Sequence, residues 1–197
     1  MPTAAALRAR QAVAMDPAMR HAHGGFTLAE LVVTVAVLGI TLALAVPSMA
    51  RLRERAQTLD ALHGLTSSLA QARMSAVMRG RPVSVCPSAD GLRCRGDLVW
   101  DAGWLVFVDA DRSGQPAGPT AIIRHYPRSP GDPPVRATPG RHRVRYQPDG
   151  MAGGSNISLS LCRRGDASLI GRVVVNLAGR VRSENLQDRQ VPCPFQP

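Results

Sequence analysis

The stretch from Phe26 to Val46 constrains this chain more than any other segment. It is apolar apart from threonines, one glycine and a single carboxylate, Glu30. At about 1.5 Å per residue, a helix over this stretch can cross a hydrocarbon core about 30 Å thick. A carboxylate inside a membrane helix costs about a few kcal/mol and is normally kept for a function. We therefore predict a transmembrane helix at residues 26–46, with a positive partner for Glu30.

The segment before this helix is typical of a leader. Residues 1–25 contain three arginines and one acid, and they show no apolar period that could bury a face. Basic residues on this side predict a cytoplasmic N terminus and a domain on the opposite side of the membrane. Arginines just after the helix weaken this asymmetry. The sequence leaves the start site open between Met1, Met15 and Met19.

Beyond Pro47 the apolar residues recur at helical spacings, with polar residues between them. Gly80 and Pro82 then supply a stop signal. We predict that the helix continues over residues 47–80 as an amphipathic segment that lays one face on a sheet. Pro47 and Gly39 are the places where it can bend. The apolar positions are Leu52, Leu59, Leu62, Leu69 and Val77.

After Gly80 the pattern changes to short β-rich runs separated by turn residues. Residues 81–197 are predicted to form one β-rich domain. The expected fold class is α+β, with the long N-terminal helix packed on an antiparallel sheet. The proline-rich stretch from Pro127 to Pro139 is predicted as a loop. The predicted strands are Val83–Cys86, Leu105–Val108, Ala121–Tyr126, Val144–Tyr146, Ile157–Cys162 and Val173–Leu177.

Four cysteines, Cys86, Cys94, Cys162 and Cys193, all follow the apolar stretch. An even number suits an oxidising compartment such as the periplasm. Three pairings are possible, and closeness in sequence favours Cys86 with Cys94 and Cys162 with Cys193. A zinc site is the alternative, although the spacings lack the Cys-x-x-Cys pairs that make a thiolate cage easy to build.

The run Gly24-Gly25-Phe26-Thr27-Leu28-Ala29-Glu30, followed by the apolar stretch, resembles the processing motif of type IV prepilins and type II secretion pseudopilins. The resemblance implies that a prepilin peptidase cuts between Gly25 and Phe26, and that Phe26 is then N-methylated. In a bundle of such helices, Glu30 would pair with the amine of Phe26 in a neighbouring subunit, which fixes the axial register.

Two alternatives to this interpretation remain. Glu30 could be a solitary carboxylate that snorkels toward water. Ser48, Met49 and Ala50 also form a passable site for ordinary signal peptidase, which would release a soluble domain starting at Arg51. The carboxylate inside the apolar stretch and the helical pattern across residue 50 both argue against that cut.

The segment from Val83 to Asp111 is similar to the GspH/FimT family of minor pilins and pseudopilins. The residues that carry the similarity are Ser84-Val85-Cys86-Pro87-Ser88, Cys94 and Gly103-Trp104-Leu105-Val106-Phe107-Val108-Asp109. The family includes type II secretion tip pseudopilins and type IV pilus minor pilins, some of which bind DNA during natural transformation. The resemblance implies a single-pass inner-membrane protein with a periplasmic domain, whose partners are other pilins and the prepilin peptidase.

The sequence Gly179-Arg180-Val181-Arg182 resembles the short Gly-Arg-x-Arg motif of the DNA-binding branch of this family. Residues two apart on a strand point to one face, so Arg180 and Arg182 would present two guanidinium groups while Val181 faces inward. Ala178 and Gly179 predict a turn, which places the two arginines at the start of a return strand. Such a pair suits phosphates of duplex DNA. Solvated surface charge is the alternative.

The overall charge is compatible with an anionic partner. The formal net charge is +10, all cationic side chains other than histidine are arginines, and only 4% of residues are aromatic. Few aromatic residues argue against base stacking on single strands and favour phosphate contacts on a duplex. A wider set of arginines that would extend the surface is Arg141, Arg143, Arg145, Arg163, Arg164 and Arg172.

No cofactor, metal or catalytic site is expected. The run Asp109-x-Asp111-x-Ser113-Gly114 resembles the opening of a calcium loop, but Thr120 stands where a closing acid should be, so we interpret it as an Asp/Gly turn. The histidines and carboxylates form no recognisable catalytic constellation. A membrane-anchored enzyme is the alternative from another functional class.

Overall fold

The computed structural model describes residues 25–154, 156–166 and 168–195. Most of the predicted leader therefore lies outside the described residues. The first element is a helix, α1, over Leu28–Arg79. Thr27 caps its start, since the Thr27 Oγ1 atom accepts the Glu30 N–H at 3.2 Å. The helix stops at Gly80, whose φ of 60° lies in the left-handed region.

The contacts of the chain divide it into two units that meet between Ala45 and Val46. In the first unit, every side chain from Phe26 onward is exposed, and Phe26 itself is 81% exposed. Within the described part of the chain, α1 is the one helix long and apolar enough to cross a membrane. A continuous apolar surface of this kind requires cover from lipid or from other helices.

In the second unit, α1 buries one face at intervals of three and four residues. Small residues on this face let the sheet approach closely. A Cβ atom at Gly64 would lie 3.5 Å from the Trp104 ring, and the Trp104 indole N–H donates to the Ser68 Oγ atom at 2.8 Å. The buried positions of the helix are Thr58, Ala61, Leu62, Leu65, Ser68, Leu69, Ala72 and Ala76.

The described residues after α1 form eight strands in two antiparallel sheets. The first sheet has the order β3-β2-β1-β5 and the second has the order β4-β6-β7-β8. A short 3-10 turn at Pro119–Ala121 precedes β3. The strands are β1 Val83–Pro87, β2 Gly103–Val108, β3 Ile122–Pro127, β4 Val135–Ala137, β5 Val144–Tyr146, β6 Ile157–Cys162, β7 Leu169–Val175 and β8 Val181–Asn185.

One cluster of buried apolar side chains joins the second unit's part of α1 to both sheets. Two smaller clusters each contain a disulfide. Cys86 on β1 is bonded to Cys94 in the following loop, and Cys162 at the end of β6 is bonded to Cys193 near the C terminus. These are the two pairings that closeness in sequence favours.

The structure corrects two details of the predicted strands. The proline-rich stretch predicted as a loop contains β4, which starts at Val135, directly after Pro134. The proline precedes the strand, so no hydrogen bond of the ladder requires its missing N–H. Strand β7 begins four residues before the predicted start and ends before Leu177. The earlier start was not predicted, because it places Gly171 inside the strand and glycine is rare in strands. Glycine occurs here because the Leu62 side chain packs closely, 3.1 Å from where a Cβ atom of residue 171 would be.

Candidate nucleic-acid interface and assembly segment

The Gly-Arg-x-Arg sequence lies at the hairpin turn between β7 and β8. The Asn176 N–H donates to the Arg180 carbonyl oxygen at 3.1 Å, and the Gly179 N–H donates to the Asn176 carbonyl oxygen at 2.9 Å. The Asn176 Oδ1 atom accepts the Arg180 N–H at 2.9 Å. The turn therefore holds the backbone of Arg180 directly before β8, which is the position predicted from the sequence.

Gly179 is required by the geometry of this turn. Its φ of 75° lies in the left-handed region, which side chains other than glycine rarely adopt. A Cβ atom at this position would also lie 2.0 Å from the Gly150 carbonyl oxygen. Both the backbone conformation and the lack of space exclude a larger residue here.

Arg73 on α1 ties the hairpin turn to a neighbouring loop. Its Nε atom donates to the Gly150 carbonyl oxygen at 2.9 Å, and its Nη2 atom donates to the Ala178 carbonyl oxygen at 3.2 Å. Sequence reasoning missed this residue, because the two partners lie 77 and 105 residues away along the chain. No local pattern signals such a contact.

The two arginines of the motif are both exposed, while Val181 between them packs against the core. The Arg180 side chain forms no hydrogen bond or ion pair with any other residue that the structure describes. The Arg182 Nη2 atom lies 3.0 Å from the Glu184 Oε1 atom, although the Arg182 side chain is 73% exposed. The hairpin thus presents one uncompensated guanidinium group and one that shares its charge with a carboxylate.

Three arginines of the wider set, Arg141, Arg143 and Arg145, surround one pocket of about 370 Å³ together with His142. Only Arg145 lies in β5. The Arg141 Nη2 and Arg143 Nη1 atoms donate to backbone carbonyl oxygens at 2.8 Å and 3.1 Å. Burial, then Arg143 and Arg141, lower the pKa of His142, so its imidazole is neutral at neutral pH.

Arg145 forms a partly buried ion pair with Asp109. Its Nε atom lies 2.7 Å from the Asp109 Oδ2 atom, which also accepts the Ser84 hydroxyl at 2.6 Å. The Asp109 Oδ1 atom accepts the Gly114 N–H at 2.9 Å. The Asp109 carboxylate thus orders a turn. Among the described residues, no group of three or more histidine, cysteine, aspartate or glutamate side chains could hold a metal ion.

The remaining arginines of the wider set make internal contacts or lie apart from the hairpin turn. Arg163 pairs with Glu54 at 2.6 Å and with Asp166 at 3.3 Å. Two nitrogen atoms of Arg164 donate to the Asp132 carbonyl oxygen at 3.0 Å and 2.9 Å. Arg172 lines a different pocket, on the second sheet. Of the eight arginines singled out from the sequence, Arg180 is therefore the one that is exposed and has no side-chain hydrogen bond or ion pair among the described residues.

The predicted assembly segment lies at the start of α1. The Thr27 cap and Glu30 have the spacing of a capping box, a Thr-x-x-Glu signal that our sequence analysis overlooked. Within the described residues, the Glu30 carboxylate forms no hydrogen bond or ion pair. Phe26 lies just before the helix and is exposed. The carboxylate and the predicted new N terminus thus lie within one turn of the helix start.

Two family profiles match the chain. One is described as the type II transport protein GspH and matches residues 61–179, which is more than half of the chain. The other is the prokaryotic N-terminal methylation motif, which matches residues 20–46. A comparison with curated protein sequences finds no match.

Two solved structures show the same fold. Two crystal structures of the Pseudomonas aeruginosa type IV minor pilin FimU match with TM-scores of 0.53 and 0.56, each at 19% identity. They cover 70% and 72% of this chain and 99% and 98% of the FimU chains. The solution structure of E. coli GspH matches at 15% identity with a TM-score of 0.42, covering 69% of this chain and 93% of that one.

The two FimU matches agree with a long helix packed on antiparallel sheets. The chain belongs to the family of the type II transport protein GspH, and it is a pilin-like protein of the GspH/FimT type, that is, a minor pilin or pseudopilin of a type IV pilus or a type II secretion system.

Proposed function

We propose that this protein is a minor pilin of a type IV pilus and binds duplex DNA through Arg180 and Arg182. The observation that carries the proposal is the hairpin turn, in which Arg180 is exposed and lacks a partner among the described residues. The turn is rigid, because Arg73 and backbone hydrogen bonds hold it. A backbone that is already ordered loses no further conformational entropy when the side chain it carries binds a phosphate.

The contacts at this hairpin would recognise the DNA backbone and not its sequence. Guanidinium groups form charge-assisted hydrogen bonds with phosphate oxygens, and these bonds carry no information about bases. Binding would be strongly salt-dependent, since each contact releases condensed counterions. Uptake of DNA of any sequence requires no more than this.

Processing and assembly would follow the pattern of the family. A prepilin peptidase would cut between Gly25 and Phe26, and Phe26 would be methylated at its new amine. The protein would be anchored in the bacterial inner membrane with its N terminus in the cytoplasm and its domain in the periplasm. In the filament, Glu30 would pair with the Phe26 amine of a neighbouring subunit, which neutralises a carboxylate in an apolar surrounding.

The second candidate function is that of a minor pseudopilin in type II secretion. The match to the family profile described as the type II transport protein GspH favours it. Both functions use the same anchor and the same assembly chemistry, so the N-terminal segment is compatible with either. DNA affinity of the hairpin is the property that distinguishes them.

A salt titration of DNA binding tests the proposal. The full chain, purified in a non-ionic detergent, is titrated with a labelled duplex over a range of salt concentrations, and Arg180→Ala plus Arg182→Ala is compared with the native sequence. We expect affinity to fall steeply with salt in the native protein. The double variant should lose most of the affinity, and its log–log salt slope should be shallower by about 0.9 for each lost phosphate contact.

The matched control is Arg93→Ala plus Arg189→Ala. Both arginines are exposed, and neither side chain bonds to another described residue. This control removes the same net charge, so it should keep most of the affinity if the hairpin is the site. Equal losses in the two double variants would mean that only net charge matters. No binding at moderate salt would favour the secretion pseudopilin.

A further inference from the structure

A pocket of about 290 Å³ lies on the second sheet and is separate from the hairpin turn. Residues on β4, β6 and β7 form its floor, and Pro194 and Phe195 form a wall. Arg136, Ser160 and Arg172 stand opposite one another in the register of these strands. They face away from α1, since Leu62 of the helix lies against Gly171 on the other side of the sheet.

The pocket contains one uncompensated positive charge. The Arg136 guanidinium forms an ion pair with Asp101 and lies over the Phe195 ring, 5.6 Å from its centroid. The Arg172 Nε atom is shielded from solvent and has no hydrogen-bond partner among the described residues. Glu184 stands opposite Arg172 in the β7–β8 register, but its carboxylate pairs with Arg182. Arg172 therefore has a donor that is buried without a partner.

A buried donor without a partner costs about 1–3 kcal/mol, more for a charged group, and native proteins rarely leave one without a reason. The walls of the pocket are mostly apolar, with Leu98, Ala137, Pro139 and Phe195 among the lining residues. Ser158 and Ser160 also line the pocket. A ligand that fits these features has one negative charge and a small apolar body.

The second disulfide positions the wall of this pocket. Cys193 lies two residues before Phe195 and is bonded to Cys162 at the end of β6. The Leu169 N–H donates to the Val191 carbonyl oxygen at 2.8 Å, which fixes the same segment alongside β7. The segment that carries Phe195 is therefore anchored in two places, and the pocket is a built feature of the fold.

We propose that this pocket binds a carboxylate attached to a short apolar group, with Arg172 as the residue that receives the carboxylate. The Phe195 ring and the neighbouring aliphatic side chains bind the apolar body. The single uncompensated guanidinium matches a monoanion. A DNA phosphate would bring a bulky polar sugar against apolar walls, so this site is distinct from the DNA-binding hairpin. The ligand is either a free organic acid or the C-terminal carboxylate of a peptide.

The test uses ligand-observed ¹⁹F NMR with the full chain in a non-ionic detergent, and micelles alone serve as the blank. The probes are 4-fluorobenzoate and its neutral analogue 4-fluorobenzamide. A second pair is a tetrapeptide ending in 4-fluorophenylalanine, as the free acid and as the C-terminal amide. We expect at least one acid to bind and its amide to bind about tenfold more weakly or worse, because the amide cannot accept a charge-assisted pair of bonds.

Variants link the binding to the pocket. Arg172→Met should weaken binding of the acid about tenfold or more and leave the amide unchanged, whereas Arg189→Met, which removes an exposed arginine elsewhere, should have no effect. Phe195→Ala should weaken acid and amide alike. The acid that binds more tightly identifies the source of the ligand.

The proposal is overturned if no acid binds above the micelle blank, if acid and amide bind equally, or if folded Arg172→Met binds the acid as the native chain does. If Arg172→Met fails to fold, the comparison of acid with amide on the native protein decides by itself.

Discussion

The Arg182 Nη2 atom lies 3.0 Å from the Glu184 Oε1 atom on the same strand, so a residue proposed to bind DNA carries its own counterion. Glu184 is partly buried, whereas Arg182 is exposed. This pair competes with any phosphate for the same guanidinium group. Exposed pairs of this kind contribute about 0.2–1 kcal/mol.

Glu184→Gln should therefore raise DNA affinity by about two- to fivefold, because Arg182 no longer has to leave a carboxylate. The measurement is fluorescence anisotropy of a labelled duplex at one moderate salt concentration. Asp60→Asn, at an exposed helix position, changes the net charge by the same amount and serves as the control. An equal gain in both variants would show that the pair itself has no role.

Arg73→Met should weaken DNA binding without removing a phosphate contact. The hydrogen bonds from Arg73 to the carbonyl oxygens of Gly150 and Ala178 hold the turn, and a hydrogen bond from a charged group contributes about 1.5–3 kcal/mol. We expect lower affinity, an unchanged salt slope and a lower melting temperature. Arg73→Lys should recover part of the affinity. A slope that falls by about 0.9 would instead place Arg73 in direct contact with phosphate.

Gly179→Ala should destabilise the protein more than Gly165→Ala. Both glycines have positive φ, 75° and 82°, so alanine costs about 1–2 kcal/mol at either position. At Gly179 the new Cβ atom would meet the Gly150 carbonyl oxygen at 2.0 Å, whereas no described residue lies within 4 Å of a Cβ atom at Gly165. Chemical denaturation in detergent measures the difference. Equal costs at the two positions would contradict the packing of the turn.

The two disulfides should differ in their contribution to stability. The bond between Cys162 and Cys193 spans 31 residues, and the bond between Cys86 and Cys94 spans 8. The chain-entropy model assigns them about 3.7 and about 2.5 kcal/mol. Replacing each pair with alanines and comparing the free energies of unfolding tests the order. A larger loss from the short loop would mean that burial of Cys86 outweighs loop closure.

Stability should fall in mildly acidic solution in part because of His142. Its pKa in the folded protein lies below the ordinary value of 6.5, owing to burial and to Arg143 and Arg141. The unfolded chain therefore binds the proton more readily, so stability is lost as the pH falls below about 6.5 and is retained above it. His142→Gln should flatten this dependence. Thermal melts between about pH 7.5 and pH 5 provide the comparison.

Several features of the fold could be predicted from local patterns. The apolar stretch after Gly25 and the leucines at helical spacing predicted α1 to within two residues at its start and one at its end. Alternation and turn residues located most strands. Strand β4 was missed, because three residues after a pair of prolines carry too little pattern, and its pairing with β6 across the sheet is what defines it.

The candidate site was predictable only in part. The motif from Gly179 to Arg182 and the turn before it are local, and they were found. Whether an arginine is available for a ligand depends on distant partners: Arg163 is held by Glu54, and Arg145 by Asp109. Each arginine is separated from its partner by 109 or 36 positions along the chain, respectively, so no rule of sequence spacing predicts the pair.

The sequence by itself determined the membrane-length helix, the processing motif around Gly25 and Phe26, the order of α and β segments, and the cysteine pairs nearest in sequence. These properties depend on the spacing of apolar residues and on closeness along the chain, and both can be read directly from the linear sequence. Only the tertiary structure decided which of the arginines keep their charge exposed, that Arg73 braces the hairpin, and that Arg172 lines a pocket closed by Phe195. Burial and charge pairing arise when the folded chain brings distant residues within a few ångströms, and charge interactions depend on that distance and on the surrounding dielectric.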